Sequence, residues 1–95
     1  MAQQLQSAFT ILRRTRVQAE SGYSRSTIYL RISQGLFPKP VRLGSRAVGW
    51  PAREVAALNE ARIAGKSDDE IRALVEGLET DRNAASNTPQ AVAGR

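Results

Sequence analysis

Residues 22–40, GYSRSTIYLRISQGLFPKP, decide how this chain folds. Gly22 stops whatever helix precedes it, and Ser24 is a good N-cap for one that follows. Ile28 and Ile32 lie four apart on one helical face, and Leu36 continues the apolar line just beyond. Gly35 stands where a glycine closes a helix. Pro38 and Pro40 cannot continue it, because each lacks an amide hydrogen and has a fixed φ. The spacing therefore predicts a helix over 24–34.

Upstream, Thr15 reads as the N-cap of a first helix ending near Glu20. Only Gly22 and Tyr23 then separate two short helices, an arrangement that fits a helix-turn-helix. Before it, residues 9–12 read as a short strand or entry segment with Phe9 or Ile11 packed inward. Residues 1–8 are polar and glutamine-rich, and are expected to form a flexible N-terminus.

Downstream, the stretch VRLGSRAVGW (41–50) alternates Val41 and Leu43 with Arg42, and Val48 and Trp50 with Gly49. With Gly44 and Ser45 between the two halves, this is a β-hairpin with one apolar face and a basic tip. Pro51 opens a third helix at its first position, with Val55 and Leu58 on one face and an end near Gly65. Ser67-Asp68-Asp69-Glu70 is a capping box heading a fourth helix. Ile71, Leu74, Val75 and Leu78 then recur at helical spacing. They pack on the third helix or, as the alternative, form a self-association seam. Residues 83–95 are small and polar and read as a disordered tail. At 95 residues the chain has room for one small domain.

The composition narrows the function. Cysteine and histidine are both absent, which removes disulfides, thiol nucleophiles, the commonest metal ligand and the commonest neutral-pH base. No apolar run nears the roughly 20 residues that span a bilayer, and the first residues have no secretory pattern. The expectation is a cytoplasmic protein, not an enzyme, without cofactor, small-molecule ligand or membrane. The net charge is +5 and unevenly spread. Residues 13–53 carry nine cations against Glu20 alone, whereas residues 54–82 hold twice as many acids as bases. A basic first half beside an acidic second half points to a polyanion-binding face.

The two capped helices differ at their N-termini. The fourth has acids in its first turn that offset the positive end of its dipole. The second has Thr27 where a capping box would have glutamate, and Arg25 in its first turn. An external phosphate would supply the missing negative charge. With Ile28 and Ile32 facing the core, Arg25, Ser26, Tyr29 and Arg31 project outward or sideways. Arginine forks onto guanine, and hydroxyls such as those of Ser24, Ser26 and Thr27 bond phosphates or bases. Arg42, Ser45 and Arg46 at the hairpin, with Lys39 just before it, are placed for flanking backbone. Arg14 and Arg16, with Arg13, are phosphate contacts or a solvated face. Ser24 serves as a structural cap in either case. Tyr23 reads as core, and Trp50 as a core anchor under the hairpin instead of a base-stacking platform.

The ordered run GYSRSTIY, then GLFPKPVRLGSRAVGW, then Glu54-Val55, resembles the AlpA family of prophage-encoded transcriptional regulators. These are relatives of the excisionases and of MerR-like winged helix-turn-helix domains, and the resemblance covers about residues 10–65. It implies a mainly α fold with a small β-hairpin: a winged helix-turn-helix over 9–65, then a C-terminal helix over 66–82. Residues 24–34 would be the recognition helix and 41–50 the wing, on double-stranded DNA; whether a monomer, a homodimer or a cooperative assembly binds it stays open. Such proteins regulate prophage genes, including integrase expression and hence excision, and would lie with the bacterial nucleoid when bound. Many members have arginine at the position of Leu30; here Arg31 follows it, and which of the two faces the bases stays open. Two rival readings remain: an excisionase-like factor that bends DNA for a recombinase, and a protein-interaction module working through helix 67–80.

Overall fold

The computed structural model describes residues 9–93, with side chains through Asn83. The expected flexible segment 1–8 lies outside the described residues. In chain order the elements are β1 (Ile11–Arg13), α1 (Arg14–Ser21), α2 (Arg25–Ser33), β2 (Val41–Arg42), β3 (Val48–Pro51), α3 (Ala52–Ile63) and α4 (Asp68–Ala93). The architecture is mainly α with a small antiparallel sheet: a winged helix-turn-helix followed by a C-terminal helix.

The sheet has three strands, in the order β1-β3-β2. The predicted hairpin is β2–β3, with Arg42 opposite Val48 and Val41 opposite Gly49. β1 joins its other side, with Leu12 opposite Trp50. That register corrects the expected inward residue. Leu12 shares the buried side with Trp50, while Phe9 and Ile11 are exposed. Side chains alternate along a strand, so placing Leu12 inward turns Ile11 outward. The Ile11 side chain reaches over Gly49, where an added Cβ would stand 2.5 Å from Ile11 Cγ2 and 2.9 Å from the Leu12 carbonyl oxygen. Leu43 also comes out on the exposed side of the hairpin.

Two helix starts differ from the sequence reading, for one shared reason. The cap of α1 is Arg13, without a side-chain cap bond, so Thr15 lies inside the helix. The cap of α3 is Pro51, with Ala52 as its first helical residue. In both cases the last strand residue becomes the cap, because strand pairing runs directly into the helix. The Ala52 amide still donates to the Thr10 carbonyl at 2.7 Å, extending the β1–β3 ladder.

The other helix ends follow the local signals. Gly22 (φ 79°) closes α1, and its amide donates to Gln18 O. At the end of α2 the Leu36 amide donates to Arg31 O at 2.8 Å and the Gly35 amide to Ile32 O at 3.1 Å, a Schellman closure around Gly35 (φ 77°). The capping box of α4 is formed in both directions. Glu70 Oε1 accepts from the Ser67 amide at 2.9 Å, and Ser67 Oγ accepts from the Glu70 amide at 3.2 Å.

One core holds the elements together, built on Leu12, Val17, Ile28, Phe37, Trp50 and Val55. α4 closes it with Ile71 and Val75, both buried, and with Leu74 and Leu78 packed against its edge. Of the apolar stripe, Ile71 and Val75 are thus core residues, and Leu74 and Leu78 stay partly exposed at its edge. The backbone of α4 remains helical to Ala93, beyond the expected end at 82 and into the segment read as a tail. No helix among the described residues is long and apolar enough to cross a membrane.

Candidate nucleic-acid interface

The candidate interface is built on α2. Ser24 sets its start: the Oγ accepts from the Thr27 amide at 3.2 Å and donates to Thr27 Oγ1 at 2.9 Å. Ser26 Oγ lies 3.4 Å from Ser24 Oγ. The Ile28 amide takes the Ser24 carbonyl, so the amides of Arg25 and Ser26 lie ahead of the first intrahelical bond. No acid stands in the first turn.

Aromatic contacts hold the helix in place. Trp50 is fully buried, and its indole N–H donates to the Pro38 carbonyl at 2.8 Å. Its ring meets Phe37 edge-on at 6.2 Å and Tyr29 at 6.4 Å, and Tyr23 meets Phe37 at 6.2 Å. Trp50 and Tyr23 are therefore core residues, as their sequence context suggests. The row Tyr23–Phe37–Trp50–Tyr29 runs from the turn before α2 through the core to the exposed side of α2, and has an arginine at each end. The Arg31 guanidinium carbon is 5.6 Å from the Tyr23 ring centroid, and that of Arg25 is 5.9 Å from the Tyr29 ring. Both distances are within the range of a cation–π contact.

These positions separate the residues that the sequence groups together. Ile28 is buried. The exposed side of α2 comprises Arg25, Ser26, Tyr29, Leu30 and Ser33, whereas Thr27 and Arg31 are half-buried. At 100° per residue, Ser26, Tyr29, Leu30 and Ser33 share one outward face. Arg31 instead lies to one side, over Tyr23 and in the last turn, where a cation suits the helix dipole. Of Leu30 and Arg31, then, Leu30 occupies the outward face. The sequence left the two open, although the 26, 30, 33 spacing already placed Leu30 with the outward hydroxyls.

The wing and the start of α1 lie side by side. Arg42, Ser45 and Arg46 are exposed on and beside the 43–47 turn, which the Leu43 amide closes on Ala47 O at 2.8 Å. Arg46 and Val48 line one shallow depression with Arg13, Arg14 and Thr15. The fold thus brings Arg14 and Arg46 to one depression and adds Arg13 to it. Two other predicted cations have acidic partners within the chain. Arg16 Nε bonds Glu20 at 2.9 Å on the same helix, and Lys39 Nζ is 3.6 Å from Glu79 on α4.

The loop between α2 and the wing is fastened from α4, a feature with no local sequence signal. Arg82 donates to the Lys39 carbonyl at 2.8 Å and binds the buried Glu54 carboxylate with two further bonds. The Lys39 amide donates to Glu79 Oε2 at 2.8 Å, and Arg72 Nε donates to the Gln34 carbonyl at 2.8 Å. The acidic second half of the chain therefore helps hold the basic half in position.

Comparison with known proteins agrees with this architecture. Residues 10–63 match the family described as prophage CP4-57 regulatory protein (AlpA). The chain is also similar to an uncharacterized protein, ORF88, of Enterobacteria phage P4, with 51% identity over 45 residues. That match covers 47% of this chain, and the chain spans about half (51%) of the phage protein's length. The matched residues contain β1, α1, α2, the wing and α3 in full, so the chain belongs to the AlpA family of prophage regulatory proteins.

Proposed function

We propose that the chain is a sequence-specific, double-stranded DNA-binding transcriptional regulator of phage or prophage type. In this reading α2 enters the major groove and the 41–50 wing follows the flanking backbone. One observation carries it: the outward face of α2 stands behind an N-terminus without acids, inside a stretch, residues 21–53, that has no carboxylate at all. A phosphate at that N-terminus would meet the free amides and the positive end of the dipole. Arg25, Arg42 and Arg46 would add contacts that position the protein on the backbone, and the outward face would read base edges. Membership in a prophage regulatory family supports the regulatory part of the reading.

Selection of the full chain on a random duplex library tests this directly. Enrichment of a defined motif, with affinity that falls steeply as salt rises, is the expected result. Absence of duplex binding even at low salt, with a protein partner co-purifying instead, would overturn it.

A further inference from the structure

The outward face of α2 has an apolar centre. Leu30 is 55% exposed on a helix whose next outward neighbour, Tyr29, is 39% exposed and already rests on Trp50. The hydroxyls on either side have local partners. Ser33 Oγ donates to the Leu30 carbonyl at 2.6 Å, and Ser26 Oγ sits 3.4 Å from Ser24 Oγ. Leu30 therefore projects an isobutyl group from the middle of the face, surrounded by a stretch whose charges are all positive.

A polyanion is the occupant that this charge favours, and its major groove offers little for a leucine. The base edges there present hydrogen-bond donors and acceptors, and a single apolar group, the thymine 5-methyl. We infer that Leu30 is a specificity-determining residue that packs on the 5-methyl group of a thymine. This rests on the groove assignment made for α2 above and adds to it the chemical group that is read. Leu30 supplies no hydrogen bond, so its discrimination is against any base pair lacking a methyl at that position.

Deoxyuridine removes only the methyl and leaves the Watson–Crick pair intact. The full chain is first selected on a random duplex library, and each thymine of the selected duplex is then replaced singly by deoxyuridine. One replacement is expected to weaken wild-type binding about fourfold, the worth of one methyl-sized apolar group removed from contact. Leu30→Ala should bind the thymine duplex more weakly and no longer distinguish thymine from deoxyuridine at that position. Leu30→Met, which keeps an apolar side chain of similar volume, should retain the distinction. Melting curves of both variants should match wild type, because the side chain is largely exposed. Equal wild-type affinity for every deoxyuridine duplex overturns the inference while leaving the groove assignment intact, and so does undiminished discrimination by Leu30→Ala. Failure of wild type to select any motif overturns the groove assignment itself, and this inference with it.

Discussion

The Glu54 carboxylate is fully buried and receives both of its strong bonds from one residue. Arg82 Nη2 lies 2.6 Å from Oε1 and Nε lies 2.9 Å from Oε2, across 28 positions of sequence. The same guanidinium reaches the Lys39 carbonyl, so one side chain ties α4 to α3 and to the loop that leads into the wing. The bond to Glu54 pushes the Arg82 pKa above its ordinary value.

Removing one partner should cost far more than removing both. Arg82→Ala leaves a buried carboxylate without a counter-charge, and is expected to lower unfolding free energy by about 3–5 kcal/mol. Glu54→Leu combined with Arg82→Ala should be more stable than Arg82→Ala alone, because no isolated charge remains inside. Urea unfolding of wild type and the two variants measures both differences. An Arg82→Ala protein as stable as wild type would remove the fastening role given to α4.

Gly49 is required by proximity and not by backbone conformation. A Cβ there would stand 2.5 Å from Ile11 Cγ2, 3.2 Å from Leu43 Cδ1 and 2.9 Å from the Leu12 carbonyl oxygen. The two side-chain ends can move, but the carbonyl belongs to the β1–β3 pairing. Gly49→Ala should therefore destabilise by about 1–3 kcal/mol. Adding Ile11→Ala should recover only part of the loss, because the Leu12 oxygen stays in place. Full recovery of the melting temperature in the double variant would show that side-chain crowding alone explains the glycine.

Local chemistry explains what could be read in advance. The Ser24 cap, the Ile28 and Ile32 spacing, the glycines at 22 and 35 and the Ser67–Glu70 box each act within one or two helical turns. Their consequences need no knowledge of the rest of the fold. Long-range pairing explains the remainder. Leu12 turns inward because Trp50 stands opposite it, and Arg13 replaces Thr15 as cap because β1 continues straight into α1. Glu54 with Arg82 and Gln34 with Arg72 depend on how α4 crosses the first half, which no periodicity encodes. The arginines of the basic half were legible as a group. Only packing distinguishes Arg31, folded over Tyr23, from the outward Leu30 beside it.

Glu70 predicts an acid-sensitive start to α4. Its pKa is held below the usual carboxylate value, first by the Ser67 backbone amide and then by the Ser67 side chain. A depressed folded-state pKa means that the stabilisation is complete above the ordinary carboxylate value. It fades as pH falls through the depressed one. Glu70→Gln keeps a capping group that does not titrate, so its stability should vary less across that acid range than that of wild type. Urea midpoints measured along a pH series compare the two, and parallel curves would exclude Glu70 as a contributor.

Three arginines should give three different signatures. Arg25 is exposed at the N-terminus of α2, and Arg46 stands at the wing beside Arg13 and Arg14. In the proposed reading each meets one backbone phosphate, so Arg25→Ala and Arg46→Ala should each reduce the slope of log affinity against log salt by about one. Arg46→Ala should melt near wild type, while Arg25→Ala also loses its contact with Tyr29, about 0.5 kcal/mol at that exposed site, and is told apart by its salt slope. Arg31 is half-buried over Tyr23 and near the negative end of the helix. Arg31→Ala should therefore lower stability by roughly 0.5–1 kcal/mol through the lost cation–π contact, while the salt slope changes little. Paired titrations and melts of the three variants separate these outcomes. An unchanged slope in Arg25→Ala together with a reduced one in Arg31→Ala would mean that DNA meets the other side of α2.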